Sequence, residues 1–372
     1  MKENVALKAP VRRSSNIELL RIIAMVMIVA HHISVHSGFV YPSEIVSFTR
    51  LWVQLLQLGG KIGVNIFVLI SGYFLITSSS VKTNKVIKLW LQIFTYSAGI
   101  FLMFVLFGSQ PLSKGVFLKN LAPVTHARWW FASSYFVLYL LSPFINRMLN
   151  SFGKKEYQRF LVLLFLCWCI VPTLFNQKLE SNPLLWFVFV YSLAGYVRLH
   201  VDVAVIRSRR CILGALAVMA FTYSLTVLCD LLGRESAFFA SHTTYLHELQ
   251  TLPVLLSALL MFVGFANSNM RYIPAVNTVA SATFGVYLIH DNGLLRPFLW
   301  GKVFKNAAYK DTNLLIPYTL MVIVAVFAAC TLVELFRKHV IERAYAKAID
   351  SLSVRFDKCL NKFFSSKLFT KL

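Results

Sequence analysis

The chain has 372 residues, 58% of them hydrophobic and only 14% charged, with a formal net charge of +22. Soluble domains carry roughly a quarter charged residues, so this composition excludes an ordinary water-soluble globule and predicts a polytopic membrane protein. The basic excess falls between apolar runs and at the C-terminal end, where topology and anionic head groups account for it; membrane lipids are expected partners, and no nucleic acid is.

Residues 1–15 read as a short basic cytoplasmic tail. Arg12 and Arg13 precede the first apolar run as they would in a signal peptide. That run lacks a small-x-small cleavage site and carries Arg21, so it reads as an uncleaved span. Apolar runs of about membrane-crossing length are predicted at 17–36, 51–76, 86–107, 129–149, 160–176, 183–199, 211–231, 248–266, 276–296 and 314–336. Gly59, Gly60, Lys61 and Gly63 interrupt the second, which is expected to kink there or to cross only with its second half. With the N-terminus inside, most lysines and arginines fall in the inner segments, as the positive-inside rule requires. The expected fold is all-α, a bundle of about ten transmembrane helices with both termini cytoplasmic. Beyond the membrane region at 16–336, residues Ile341, Tyr345, Ala348, Leu352, Phe356, Leu360 and Phe363 recur at helical spacing among basic residues. Segment 337–372 therefore reads as a basic amphipathic helix on the cytoplasmic leaflet. Cys167, Cys169, Cys211, Cys229, Cys330 and Cys359 have no zinc-binding spacing and read as small apolar fillers.

The first span, NIELLRIIAMVMIVAHHI, carries Glu18, Arg21, His31 and His32 inside an apolar run. Eleven helical steps of 100° bring His32 back to within roughly 20° of Arg21, about 16 Å along the axis. Glu18 lies near the same stripe and can pair with Arg21. Ionisable groups at such depth face a protein interior or a polar cavity. His31 points about 100° away from His32. His36 makes an i, i+4 pair with His32, but no HExxH accompanies it and no carboxylate lies close in sequence, so no metal is expected.

Four stretches together resemble the membrane-bound acyltransferase 3 family: NIELLR followed by ten residues and His32, GVNIFVLISGYFLI at 63–76, WWFASSYFVLYLLSPFIN at 129–146, and TFGVYLIHDN at 283–292. Two departures stand out. The loop after the second stretch carries Lys82, Lys85 and Lys88 in place of the family's paired arginines and proline, and Val68 replaces a phenylalanine. The resemblance implies a multi-pass protein of a bacterial cytoplasmic membrane. Such a protein moves an acyl group, acetyl in the commonest case, from cytosolic acyl-CoA to a hydroxyl of a cell-surface glycan or its lipid-linked precursor, with no permanently bound cofactor.

A sugar hydroxyl needs a base within hydrogen-bond reach and a thioester held at attack distance. Histidine titrates near neutrality and suits the role. His32 is the expected base, or the acyl carrier itself, with Arg21 and Glu18 toward the cytoplasmic end. Arg21 would hold a phosphate of acyl-CoA, supplemented by Lys82, Lys85 and Lys88 as point charges. His290 is expected to orient the acceptor or the other histidine. Trp129 and Trp130 fit an interfacial belt or a sugar-stacking platform. Ser71 and Gly72 read as small residues allowing close helix contact. Two rival readings are an exporter of polysaccharide or lipid-linked sugar, which should show paired broken spans in its two halves, and a structural partner of a polysaccharide synthase, in which Arg21 and His32 would be dispensable.

Overall fold

A computed structural model describes residues 14–42, 45–108 and 113–364, with side chains as far as Cys359, and every regular element among them is helical. Lys2, Lys8, Arg12 and Arg13 of the basic N-terminal tail lie outside the described residues, as do the side chains of Leu360 and Phe363. The helices are α1 (Ser15–His36), α2 (Phe48–Leu75), α3 (Thr83–Leu106), α4 (Lys114–Leu121), α5 (Trp130–Ser151), α6 (Lys154–Phe165), α7 (Val171–Phe175), α8 (Pro183–His200) and α9 (Ser208–Leu232). They continue with α10 (Ala237–His242), α11 (Leu252–Ala266), α12 (Pro274–Ala280), α13 (Thr283–His290), α14 (Leu295–Phe298), α15 (Leu315–Phe336) and α16 (Arg343–Phe364). Among the described residues, 7 helical stretches are long and apolar enough to cross a membrane, α6 and α7 forming one rod through a π-turn at Leu166–Ile170.

The core is α1 laid along α2, with α8 and α11 also packed on α2, and α11, α12, α13 and α15 against α1. No break stands at Gly59–Gly63: α2 runs as one helix from Phe48 to Leu75. These glycines serve a different purpose. A Cβ on Gly60 would sit 2.2 Å from His31 Cγ, and one on Gly63 2.6 Å from the Ala24 carbonyl oxygen. They let α1 approach α2 closely, and helical hydrogen bonding tolerates them where they stand. Gly72 does the same against α8, where a Cβ would meet the Tyr191 carbonyl at 2.6 Å. The close helix contact expected of it is present.

The break lies elsewhere. The predicted span at 276–296 is divided into α12 and α13, with the Thr283 hydroxyl taking the Ala280 carbonyl at 2.8 Å. A hydroxyl that competes for the backbone in this way offers the chain an alternative to continued helix. α5 shows the opposite outcome. Pro143 cannot donate to the Tyr139 carbonyl, yet Ser142 Oγ donates to that oxygen at 2.8 Å and the helix continues. The Leu-Ser-Pro sequence thus carries its own repair.

Buried amides stitch the bundle. Asn65 accepts from Trp186 Nε1 at 2.9 Å and donates to the Leu249 carbonyl at 3.2 Å. Asn146 donates to the carbonyls of Leu75 and Ser78 and accepts from Tyr191 Oη. Buried Glu334 is held by Arg337, Tyr96 and Gln92, and its carboxyl fills the place a Cβ on Gly285 would need, 2.5 Å away. From there α15 passes through a π-turn at Arg337–Glu342 into α16. The tail carries a helix, α16, with Ile349 and Ser353 buried, and it packs against α3; Thr83 donates to Asp357 at 2.5 Å.

The glycine contacts give a paired test. Gly63→Ala forces Cβ onto a backbone oxygen and is expected to lose about 1–3 kcal/mol. Gly99→Ala on α3 meets nothing within 4 Å and is expected to be neutral or to gain up to about 1 kcal/mol. Thermal unfolding of the detergent-solubilised protein reads both.

Candidate active site

The α1–α2 approach delivers His31 and His32 to one chamber. Its lining includes His31, His32, Lys61, Trp130, Phe131 and Tyr287. His32 is 9% exposed and His290 fully buried, and His32 Nδ1 lies 2.8 Å from His290 Nε2. His290 Nδ1 in turn lies 2.6 Å from the Val286 carbonyl oxygen. A carbonyl only accepts, so His290 carries its proton on Nδ1 and presents a bare Nε2. That bare nitrogen requires the proton of neutral His32 to be on Nδ1. The lone pair of His32 is therefore on Nε2. A helix C-terminus fixes, through one imidazole, which nitrogen of the other is basic.

His32 Nε2 faces the Asp291 carboxylate at 3.9 Å. His36 Nε2 is 3.8 Å from the same oxygen, and Arg296 Nη1 binds it at 3.1 Å while lying 3.4 Å from His36 Nε2. The expectation that no carboxylate lies near His36 is thus corrected: Asp291 is remote in sequence and is folded onto it by the end of α13. The ligand atoms of His32, His36 and Asp291 all lie within 4.8 Å of one another, a set that could hold a metal ion. The Arg296 guanidinium already supplies positive charge at that carboxylate. His31 also lines the chamber, with Nδ1 donating to the Gln57 carbonyl at 2.9 Å. Asp291 pairs with His32 and His36, and no such carboxylate contact is found for His31 among the described residues.

The other predicted residues divide between this chamber and a second region. Glu18 and Arg21 form the predicted pair at 2.9 Å. Arg21 lines a cavity with Ser71, Gln92, Tyr135 and Thr283, and a further one with Lys85. Phe67, Phe131 and Phe284 line both the histidine chamber and the first of these Arg21 cavities, so a layer of aromatic rings is the partition between them. Of the three lysines, Lys85 opens toward Arg21, whereas Lys82 is the exposed N-cap of α3 and Lys88 stands on its second turn. Trp129 is 2% exposed and belongs to the core, which removes it from an interfacial belt. Trp130 faces the chamber, with Lys61 Nζ 5.2 Å from its ring centroid.

Sequence reasoning missed Lys61, Asp291 and Arg296 as members of the site. Lys61 carried a signal, a charge inside an apolar run. Asp291 and Arg296 gave none beyond standing near His290.

The tautomer chain can be checked directly. In selectively ¹⁵N-histidine-labelled protein, neutral His32 is expected to be protonated at Nδ1 only, and His290→Ala is expected to release it into a mixture of both tautomers. A His32 signal indifferent to His290→Ala would contradict the relay.

Over residues 14–335 the chain matches the family model of the acyltransferase 3 proteins, described as an acyltransferase domain. No curated protein and no solved structure matches it.

Proposed function

The chain belongs to the acyltransferase 3 family, and on that premise we propose that it transfers an acyl group, acetyl in the first instance, from cytosolic acyl-CoA to a hydroxyl of a cell-surface glycan or its lipid-linked precursor. It is a multi-pass membrane enzyme of all-α fold. In the proposed topology ten segments cross the bacterial cytoplasmic membrane and both termini are cytoplasmic. The observation that carries the reading is the arrangement of two regions along α1, a cationic end where Arg21 shares a cavity with Lys85 of α3 and a histidine end at His32, in neighbouring cavities that share lining residues.

The chemistry follows from the residues. Arg21 and Lys85 hold phosphates of the donor, with Glu18 keeping the guanidinium of Arg21 in place. The pantetheine arm passes the phenylalanine layer and brings the thioester into the chamber. His32 Nε2 takes the proton of the acceptor hydroxyl as its oxygen bonds to the thioester carbonyl carbon. Asp291 stabilises the imidazolium so formed. Lys61, in the same chamber, supplies positive charge for the oxyanion. Collapse breaks the carbon–sulfur bond, and the imidazolium returns the proton to the departing thiolate. His290 is a positioning residue that acts through His32. A carrier without chemistry is less well supported: α12–α13 is broken, whereas α2, the glycine-interrupted span of the first half, runs unbroken, so the two do not form the paired pattern of such carriers.

Transfer of labelled acetyl from acetyl-CoA to membrane glycans tests the assignment. His32→Ala is expected to reduce it by about 10²–10⁴-fold, and Arg21→Ala to raise the KM for acetyl-CoA with a smaller effect on kcat. His31→Ala is expected to keep most of the rate. Full activity in His32→Ala at matched protein level would sink the mechanism, and glycan export without any labelling by wild-type protein would favour the carrier.

A further inference from the structure

We infer that a second, polar pocket beside the chamber is the subsite for a saccharide acceptor, an inference that rests on the glycan reading above. The pocket lies between the 172–183 connection and the 245–251 segment, and Asn176, Lys178, Ser181, Tyr245, Glu248 and Gln250 are among its lining. Its two walls are tied together. Leu252 N donates to Thr173 Oγ1 at 2.9 Å, and Tyr245 Oη donates to the Pro172 carbonyl.

Gln250 points to a ligand. It is 7% exposed, its Nε2 donates to Ser181 Oγ at 2.5 Å, and its Oε1 is buried with no hydrogen-bond partner. Burying an amide oxygen unpaired is costly, and a ligand hydroxyl in this pocket relieves that cost. The remaining chemistry narrows the ligand. Glu248 accepts from hydroxyls, while Lys178 and Asn176 can donate to ring or hydroxyl oxygens. One acid and one base leave the lining without strong net charge, which suits a neutral polyol better than a phosphate or a cation.

The pocket is also linked to the chamber. The Leu249 carbonyl, on its wall, is bound by Asn65 of α2, one helical turn beyond Lys61 of the histidine chamber. Glu248 and Lys178 both act electrostatically on Lys61. Through these contacts a sugar held by Gln250 and Glu248 is connected to Lys61 of the histidine chamber.

Saturation-transfer NMR with methyl glycosides of glucose, galactose and N-acetylglucosamine tests this on the full-length protein in detergent. At least one glycoside is expected to receive saturation from wild type and from His32→Ala. Its affinity is expected to fall about tenfold or more in Glu248→Ala and in Gln250→Met, and to be retained in Gln250→Glu, which keeps the acceptor oxygen. Glu248 is exposed, so its variant tests the site even where a Gln250 variant misfolds. Unchanged binding in Glu248→Ala and Gln250→Met, or no saturation transfer from wild type to any of the three, overturns the assignment. Glycoside binding that depends on Glu248 in a protein showing no acyl transfer would uphold the subsite while removing the reaction.

Discussion

A buried imidazole must satisfy two nitrogens, and in this protein the hydrogen bond from His32 to His290 does so across 258 positions of sequence. Everything near the chamber is arranged so that this contact can form. The small residues of α2 let α1 settle against it, and the break before α13 frees a short helix whose last turn can bring His290 and Asp291 to α1. Because His290 takes its orientation from the Val286 carbonyl, the basic nitrogen of His32 is set by backbone geometry. A mobile side chain in that place would leave the tautomer undetermined.

Charge is distributed with the same economy. Among the described residues, the buried ionic groups come in partnered sets: Glu334 with Arg337, Arg50 with Asp230, and Asp291 with Arg296. Removing one member of such a pair leaves an uncompensated buried charge, so these sets act as fixed points of the bundle. The histidine chamber is the place where a cation, Lys61, lies against an aromatic ring, with carboxylates farther off. That asymmetry suits a site where negative charge develops only during a reaction.

Much of this was legible in the chain. The stripe linking Glu18, Arg21 and His32 followed from helical geometry, and the structure places Arg21 and His32 on successive cavities. Most conspicuous motif positions turn out to be architectural: Asn65 and Asn146 stitch helices, Ser142 compensates Pro143, and Gly285 makes room for Glu334. What could not be read were features decided by tertiary contact. A glycine cluster is compatible with a kink or with a close neighbour, and only the position of Ala24 and His31 separates the two. The break at Ala280–Thr283 depends on a hydroxyl choosing a carbonyl, which composition does not announce. The approach of Asp291 to His36 and His32 spans more than 250 residues and leaves no local trace.

The aromatic layer has a consequence for the membrane itself. Phe67, Phe131 and Phe284 stand between two cavities, with Phe67 and Phe131 edge to face at 6.4 Å and Phe131 against Tyr287 at 5.5 Å. Cavities joined end to end through a bilayer would be a conduit for protons and ions down the electrochemical gradient. A constriction of packed rings resists wetting, and without continuous water there is no wire for protons to hop along. A flexible apolar chain can part such rings and let them close around it, whereas a hydrated ion cannot. The same three side chains can thus admit a long thin substrate and keep the cell's membrane potential insulated.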